Sequence, residues 1–245
     1  MRTAALVLAA GAGTRMRSDK PKVVHEVLDV PMIRWVVNAA HNAGIERVVT
    51  VVGHKREQVE PLVPDTTITI QEQQRGTADA VLSAREALAD FDGSLVVLSG
   101  DCPLISSDTI QKLIAMREEA DAAVVVLTMR LDDPFGYGRI IRDQADHVER
   151  IVEQKDATPE EAAVNECNSG FYCFDARRLF AALDQVGNDN AQGEFYLTDV
   201  LEICRKAGDA VCALVTEDPL ECLGVNTPEQ LANVADIMRE RLERA

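Results

Sequence analysis

The densest group of chemistry-bearing residues lies near the start of the chain, in LVLAAGAGTRMRSDKPK (6–22). An apolar run ends in Gly11-Ala12-Gly13-Thr14, and four cations follow: Arg15, Arg17, Lys20 and Lys22. Glycine lacks the side chain that would block a ligand, so backbone N–H groups at such a turn can face an anion closely. Arg15 and Lys22 are then spaced to neutralise phosphate oxygens. The pattern is neither G-x-G-x-x-G nor G-x-x-x-x-G-K-[ST], which excludes the dinucleotide and Walker-type loops. Two readings stand on spacing alone: a phosphate cradle, or a tight turn into a solvated basic helix start.

A second candidate is Asp101, in LSGDCPL, just past an apolar run. Ligands of open α/β sheets gather at the carboxyl ends of the strands, where one carboxylate plus substrate phosphates suits Mg²⁺. The competing role for a lone aspartate there is a turn or helix cap. QEQQRGTADA offers Gln71 and the Gly76 backbone to a base, or is an ordinary helix entry. EQKDAT presents Glu153, NECNSG presents Asn168 and LGVNTP presents Asn226, the last also a natural capping residue.

Charge narrows the ligand classes. The chain has 41 acidic against 25 basic Lys and Arg residues, a formal net charge of -16. So negative a protein repels polyanions unless it focuses positive charge locally, as residues 15–22 do. Nucleic acid and anionic membrane are therefore excluded as partners. No apolar segment is long enough to cross a bilayer, and the first residues lack a signal peptide's order of charge, apolar stretch and cleavage site. The six cysteines form no C-x-x-C pair and no histidine cluster completes a metal set. Reduced, mostly buried thiols in a cytoplasmic protein are the expectation.

The elements that must position these residues alternate along the chain. Continuous apolar runs at 4–10, 47–53, 66–71, 94–101 and 122–130 read as buried strands. Helical patterns fall at 32–44, 77–89 and 106–120. This alternation predicts an α/β fold: a Rossmann-like, mostly parallel sheet with helices on both faces. After Arg130 the rhythm changes. GYGRIIRD and HVERIVEQK predict two strands around a polar turn, a small β insertion within about 131–172. A strand at 165–175, a helix at 195–208, a strand at 210–216 and a helix from Thr227 complete the chain. The predicted division is one unit over 1–228 and a terminal helix over 229–245.

Seven stretches, in order, carry a resemblance: LAAGAGTRMRSDKPKVVH, GDCPL, GYGRI, IVEQKDAT, NECNSG, NAQGEFYLTD and GVNTPEQL. They span residues 8 to about 231. The first alone resembles the sugar-nucleotidyltransferase superfamily. Together they resemble the pyrophosphorylase domain of bifunctional N-acetylglucosamine-1-phosphate uridyltransferase/glucosamine-1-phosphate acetyltransferases. That resemblance implies nucleotide contacts at Leu8, Ala9, Ala10, Gly11 and Gly13, with Arg15 and Lys22 holding the triphosphate and the transferring phosphoryl group. It implies base recognition by Gln71 and Gly76 with Thr77 nearby, and places Ser99 and Gly100 at the nucleotide. Asp101 and Asn226 would hold Mg²⁺, while Gly138, Glu153 and Asn168 would bind the amino sugar.

Two stretches depart from the family pattern. Gly76-Thr77-Ala78-Asp79-Ala80 stands where Gly-Thr-Gly-His-Ala is common, closer to glucose-1-phosphate nucleotidyltransferases. Ser99 stands where tyrosine is frequent. The family's β-helix acetyltransferase domain has no counterpart in these residues. The implied reaction joins UTP and N-acetylglucosamine 1-phosphate, releasing pyrophosphate. Its rivals are uridylyl or thymidylyl transfer to glucose 1-phosphate, and a sugar-nucleotide-binding regulatory protein without turnover. Oligomeric state is not legible.

Overall fold

The structure, a computed structural model, describes residues 2–244. In chain order the elements are β1 (Thr3–Ala9), β2 (Glu26–Val27), β3 (Val30–Pro31), α1 (Met32–Asn42), β4 (Arg47–Val52) and β5 (Thr67–Ile70). Next come α2 (Thr77–Leu82), β6 (Ser94–Ser99), α3 (Ser107–Glu119), β7 (Val124–Arg130), β8 (Arg139–Arg142) and β9 (Val148–Val152). The chain ends with α4 (Pro159–Ala162), β10 (Glu166–Asp175), α5 (Ala176–Leu183), α6 (Asp199–Lys206), β11 (Val211–Val215) and α7 (Pro228–Arg244).

The main sheet runs β11-β7-β10-β6-β1-β4-β5. β1 pairs in parallel with β4 and β6, β4 with β5, and β11 with β7. β10 alone runs antiparallel between β6 and β7, so the sheet is mostly parallel. The β8–β9 hairpin joins through Arg139 opposite Cys167 of β10.

Strand periodicity divides the core. Ala4 and Leu6 of β1 point into a cluster with Val81 of α2, Leu179 of α5 and Val200 of α6. Ala5, Val7 and Ala9 point the other way, onto Ile33, Val36 and Val37 of α1 and Ile110 and Leu113 of α3. Leu6 and Val7 are fully buried, each worth about 1.5–3 kcal/mol in removal from water. No helix among the described residues is long and apolar enough to cross a membrane.

A third, smaller cluster positions the site. Met16, Val27, Met32, Leu104, Val225, Val234 and Met238 are buried together. Met16 adjoins Arg15, Leu104 lies three residues after Asp101, and Val225 precedes Asn226. One apolar knot therefore holds three chemically important segments, and the Val225 N–H donates to the Asp101 carbonyl at 3.0 Å.

Two predicted helices are shorter than their patterns. The 77–89 helix stops at Leu82, where Ser83 Oγ donates back to the Ala80 carbonyl at 2.6 Å; a separate 3₁₀ turn covers Glu86–Leu88. The 195–208 helix begins only at Asp199, because the Phe195 backbone is committed to Arg75 and Ala78. Of the predicted 229–245 helix, the part up to Arg244 lies in α7, and Ala245 lies outside the described residues.

Candidate active site

The order of strands creates the site before any side chain is considered. From β1 the chain moves outward through β4 and β5, then returns to the other side of β1 with β6. A crevice opens at such a switch point, beyond the carboxyl ends of β1 and β6. A cleft of about 330 Å³ lies there, lined by Leu8, Ala9, Ala10, Gly11, Lys22, Val23, Gln71, Gln74, Gly76, Thr77, Ala80, Ser99, Asp101 and Glu194.

Its floor is the end of β1. Gly100 closes the floor on the β6 side, its N–H donating to the Leu8 carbonyl at 2.9 Å. A side chain there would meet the same carbonyl at 2.9 Å. The Gly11–Gly13 loop rises from β1. Gly13 has φ +64, and a Cβ added to it would lie 2.5 Å from Lys22 Cβ. Glycine at 13 is thus what lets Lys22 fold back over the loop.

Lys22 is the junction of the site. Its ammonium is ion-paired with Asp101 Oδ2 and donates to Asn226 Oδ1 at 2.8 Å. Arg15 Nη2 donates to the same Asn226 oxygen at 2.8 Å. Gln230 of α7 orients Asn226 by accepting from its N–H at 2.7 Å. Asp101 and Asn226 therefore aim one oxygen each at a single cation. Two hard oxygen donors converging on one cationic point fit Mg²⁺, which favours a few protein oxygens completed by substrate phosphates and water.

At the opposite wall, Gln71 and Thr77 flank Gly76. Gly76 has φ +124, and a Cβ there would collide with the Phe195 carbonyl oxygen. This close approach locks the 190–198 loop against the entry of α2. Thr77 Oγ1 accepts from the Leu197 N–H at 2.9 Å. The same loop brings Glu194 into the cleft.

Gly138, Glu153 and Asn168 come together but outside that lining. A Cβ at Gly138 would lie 3.5 Å from both Asn168 Cβ and Glu153 Oε1. The Gly138 carbonyl accepts from the Asn168 N–H at 2.9 Å, and Asn168 Nδ2 donates to the Tyr172 hydroxyl at 2.8 Å. Glu153 Oε1 accepts from Thr198 Oγ1 at 3.2 Å. Burial raises the Glu153 carboxyl above its ordinary range. The Thr198 bond opposes that rise, while Asp156, Asp199 and Glu194 add to it.

Val23, Gln74, Ala80 and Glu194 were not expected from sequence. Gln74 lies in the QEQQRG loop, where its amide donates to the Ala10 carbonyl. Glu194 lies inside NAQGEFYLTD, so a signal for it was present in the stretch but not in the residue. The cysteines are free thiols, all buried except the half-buried Cys212. Burial pushes Cys102, beside Asp101, well above a normal thiol.

A parallel-sheet switch point, a glycine loop and a lysine shared by two cation-binding oxygens define a nucleotidyltransferase-type site. The chain belongs to the MobA-like NTP transferase domain family, which matches residues 5–211. It is 51% identical over 238 residues to Bifunctional protein GlmU of Lactobacillus gasseri, covering 97% of this chain and 52% of that protein. Bifunctional protein GlmU of Pelobacter propionicus is 47% identical over 244 residues, 98% of this chain and 53% of the relative. The chain thus spans about half the length of the curated relatives it matches. In fold it is similar to a UDP-glucose pyrophosphorylase complexed with UDP-glucose, at TM-score 0.77 and 17% identity, covering 98% of this chain and all of the other. A Bacillus anthracis protein described as a glucose-1-phosphate thymidylyltransferase, in complex with sucrose, has TM-score 0.79 at 20% identity, covering 97% and 95%.

Proposed function

We propose that this chain transfers UMP from UTP to N-acetylglucosamine 1-phosphate, giving UDP-N-acetylglucosamine and pyrophosphate. The observation that carries the reading is the Lys22 ammonium shared between Asp101 and Asn226 at the end of β1 and β6. A phosphate oxygen of the sugar attacks the α-phosphorus of UTP, and the bond to the β-phosphate breaks as pyrophosphate leaves. The attacking group is already an anion, so no general base is required. The protein's task is to bring two polyanions into line and stabilise the charge they share.

In this reading Leu8 through Gly11, Gly13, Ser99 and Gly100 shape the nucleotide floor, with Arg15 and Lys22 on the phosphates. Gln71, Gly76 and Thr77 face the base. Gly138, Glu153 and Asn168 take the amino sugar. Asp101 and Asn226 would hold Mg²⁺, which when bound neutralises phosphate charge. The catalytic unit is residues 1–228, with the β8–β9 hairpin inside the 131–172 insertion and 229–245 as a terminal helix. The product is a cell-wall precursor made in the cytoplasm.

A second reading, nucleotidyl transfer to glucose 1-phosphate, is favoured by one feature: Ala78-Asp79 in RGTADAV. Pyrophosphate release measured over a grid of nucleoside triphosphates and sugar 1-phosphates separates the two. Turnover of UTP with N-acetylglucosamine 1-phosphate above every other pair is expected. No release with any pair would leave only a sugar-nucleotide-binding protein.

A further inference from the structure

Gln71, at the end of β5, is only 6% exposed. Its amide nitrogen donates twice, to the Gly76 carbonyl at 3.1 Å and to Asp79 Oδ2 at 2.9 Å. Carbonyl and carboxylate can only accept, so the nitrogen must be the end that faces them. The oxygen of the planar amide is then directed elsewhere. Gln71 Oε1 has no hydrogen-bond partner among the described residues, and the side chain forms part of the cleft wall. Asp79 and Arg75 do not line the cleft; with Gln71 itself they line a separate hollow.

Asp79 is itself clamped. Arg75 Nε and Nη2 both donate to Asp79 Oδ1, at 3.1 and 2.5 Å, which reserves Oδ2 for Gln71. The Arg75 guanidinium lies 5.7 Å from the centre of the Phe195 ring, and the Phe195 N–H donates to the Arg75 carbonyl at 2.8 Å. Arg75 and Gln71 therefore donate to Asp79 from its two sides, and Asp79 only accepts.

We propose that Asp79 is a positioning residue that fixes the Gln71 amide so that its oxygen, not its nitrogen, is offered to the nucleotide base. This rests on the nucleotide reading of the cleft and adds a selectivity to it. An exposed acceptor selects pyrimidines that carry a ring N3–H, uracil and thymine, and rejects cytosine, whose N3 is an acceptor. Asparagine at position 79 would offer a single acceptor oxygen. Taken by the Arg75 donors, it would leave an NH₂ facing the Gln71 NH₂, so the Gly76 carbonyl alone would hold the amide and the oxygen would no longer be fixed toward the cleft.

The test is equilibrium dialysis of radiolabelled UTP, CTP and N3-methyl-UTP with Mg²⁺, on the wild-type chain and on Asp79→Asn. Wild type is expected to bind UTP roughly tenfold to a hundredfold tighter than either competitor, the range for leaving one buried polar atom unpaired. In Asp79→Asn the UTP-to-CTP ratio should fall by about tenfold, through weaker UTP binding with CTP binding unchanged. General loosening of the site would weaken both nucleotides together and would overturn the proposal, as would an unchanged ratio. If Asp79→Asn does not fold, the wild-type comparison decides: N3-methyl-UTP or CTP binding as well as UTP overturns the proposal. Binding neither UTP nor CTP overturns it too. The readout is independent of turnover, so failure to release pyrophosphate with any sugar phosphate would remove the proposed reaction and leave this ratio to be judged separately.

Discussion

Lys22 Nζ donates to Asn226 Oδ1 at 2.8 Å, joining residues 204 positions apart, while its other contact is the Asp101 carboxylate. The loop after β1, the turn after β6 and the entry to α7 thus meet on one ammonium. That single meeting point makes the site's charge arrangement testable residue by residue.

Removing the ammonium leaves both oxygens in place but takes away the charge that answers the developing phosphate anion. Lys22→Ala should lower kcat by about 10²–10³, the scale of one preorganised electrostatic group. Steady-state kinetics with UTP varied at saturating sugar phosphate checks this. A rise confined to KM would make Lys22 a contributor to uniform binding, not to the transition state.

Asp101 is tested together with the metal. Chelation of Mg²⁺ should abolish pyrophosphate release, and Asp101→Ala should abolish Mg²⁺-dependent turnover while leaving circular dichroism unchanged. The side chain is partly exposed just past a strand end and belongs to none of the apolar clusters, so the core does not depend on it. Near-normal activity in the folded variant would reassign Asp101 to a purely structural ion pair with Lys22.

Much of this geometry was legible because continuous apolar runs mark buried strands, and Gly11, Gly13, Lys22 and Asp101 follow two of them. What was not legible has physical reasons. An apolar run does not encode direction, so antiparallel β10 looks like its parallel neighbours. The β2–β3 hairpin, two residues per strand, is too short for any period. Helix α5 was missed although Asp175 caps it, accepting from the Arg178 N–H at 3.0 Å. The late start of α6 depends on Phe195 docking against the entry of α2 at Gly76, a contact between segments about 120 residues apart that no local pattern reports. Arg15, Lys22 and Asn226 were each suspected; that both cations donate to the one Asn226 oxygen is tertiary information.

A pH dependence of stability follows from Asp199, at the start of α6. Its carboxyl is held up at about 6 against an ordinary 3.8, first by burial and then by Glu202 and Asp156. A raised carboxyl opposes folding once it ionises. The cost is absent below the unfolded value near 3.8, grows through the interval and is fully present above about 6. Asp199→Asn should therefore raise the melting temperature above pH 6 and leave it unchanged below 3.8. A gain that does not vary with pH would point to packing and not to charge.

Sugar choice is the sharpest test of the proposed reaction. Glu153, on the segment after β9, and Asn168 of β10 meet at Gly138, where a side chain would intrude within 3.5 Å of both. Burial already raises the Glu153 carboxyl, and Thr198 satisfies only one of its oxygens, Oε1. A site of this kind gains from a substrate that brings its own hydrogen-bond donor. The N-acetyl group supplies an amide N–H together with a carbonyl acceptor and a methyl group, where glucose 1-phosphate has only a hydroxyl. With the smaller group, buried polar atoms are left poorly paired, and selectivity built on such atoms reaches orders of magnitude. We expect kcat/KM with UTP to favour N-acetylglucosamine 1-phosphate over glucose 1-phosphate by about 10² or more. Glu153→Ala should narrow that ratio chiefly by lowering kcat/KM for the acetylated sugar. Equal values for the two sugars in the wild-type chain, or a better value for glucose 1-phosphate, would overturn the acceptor assignment and leave nucleotidyl transfer standing.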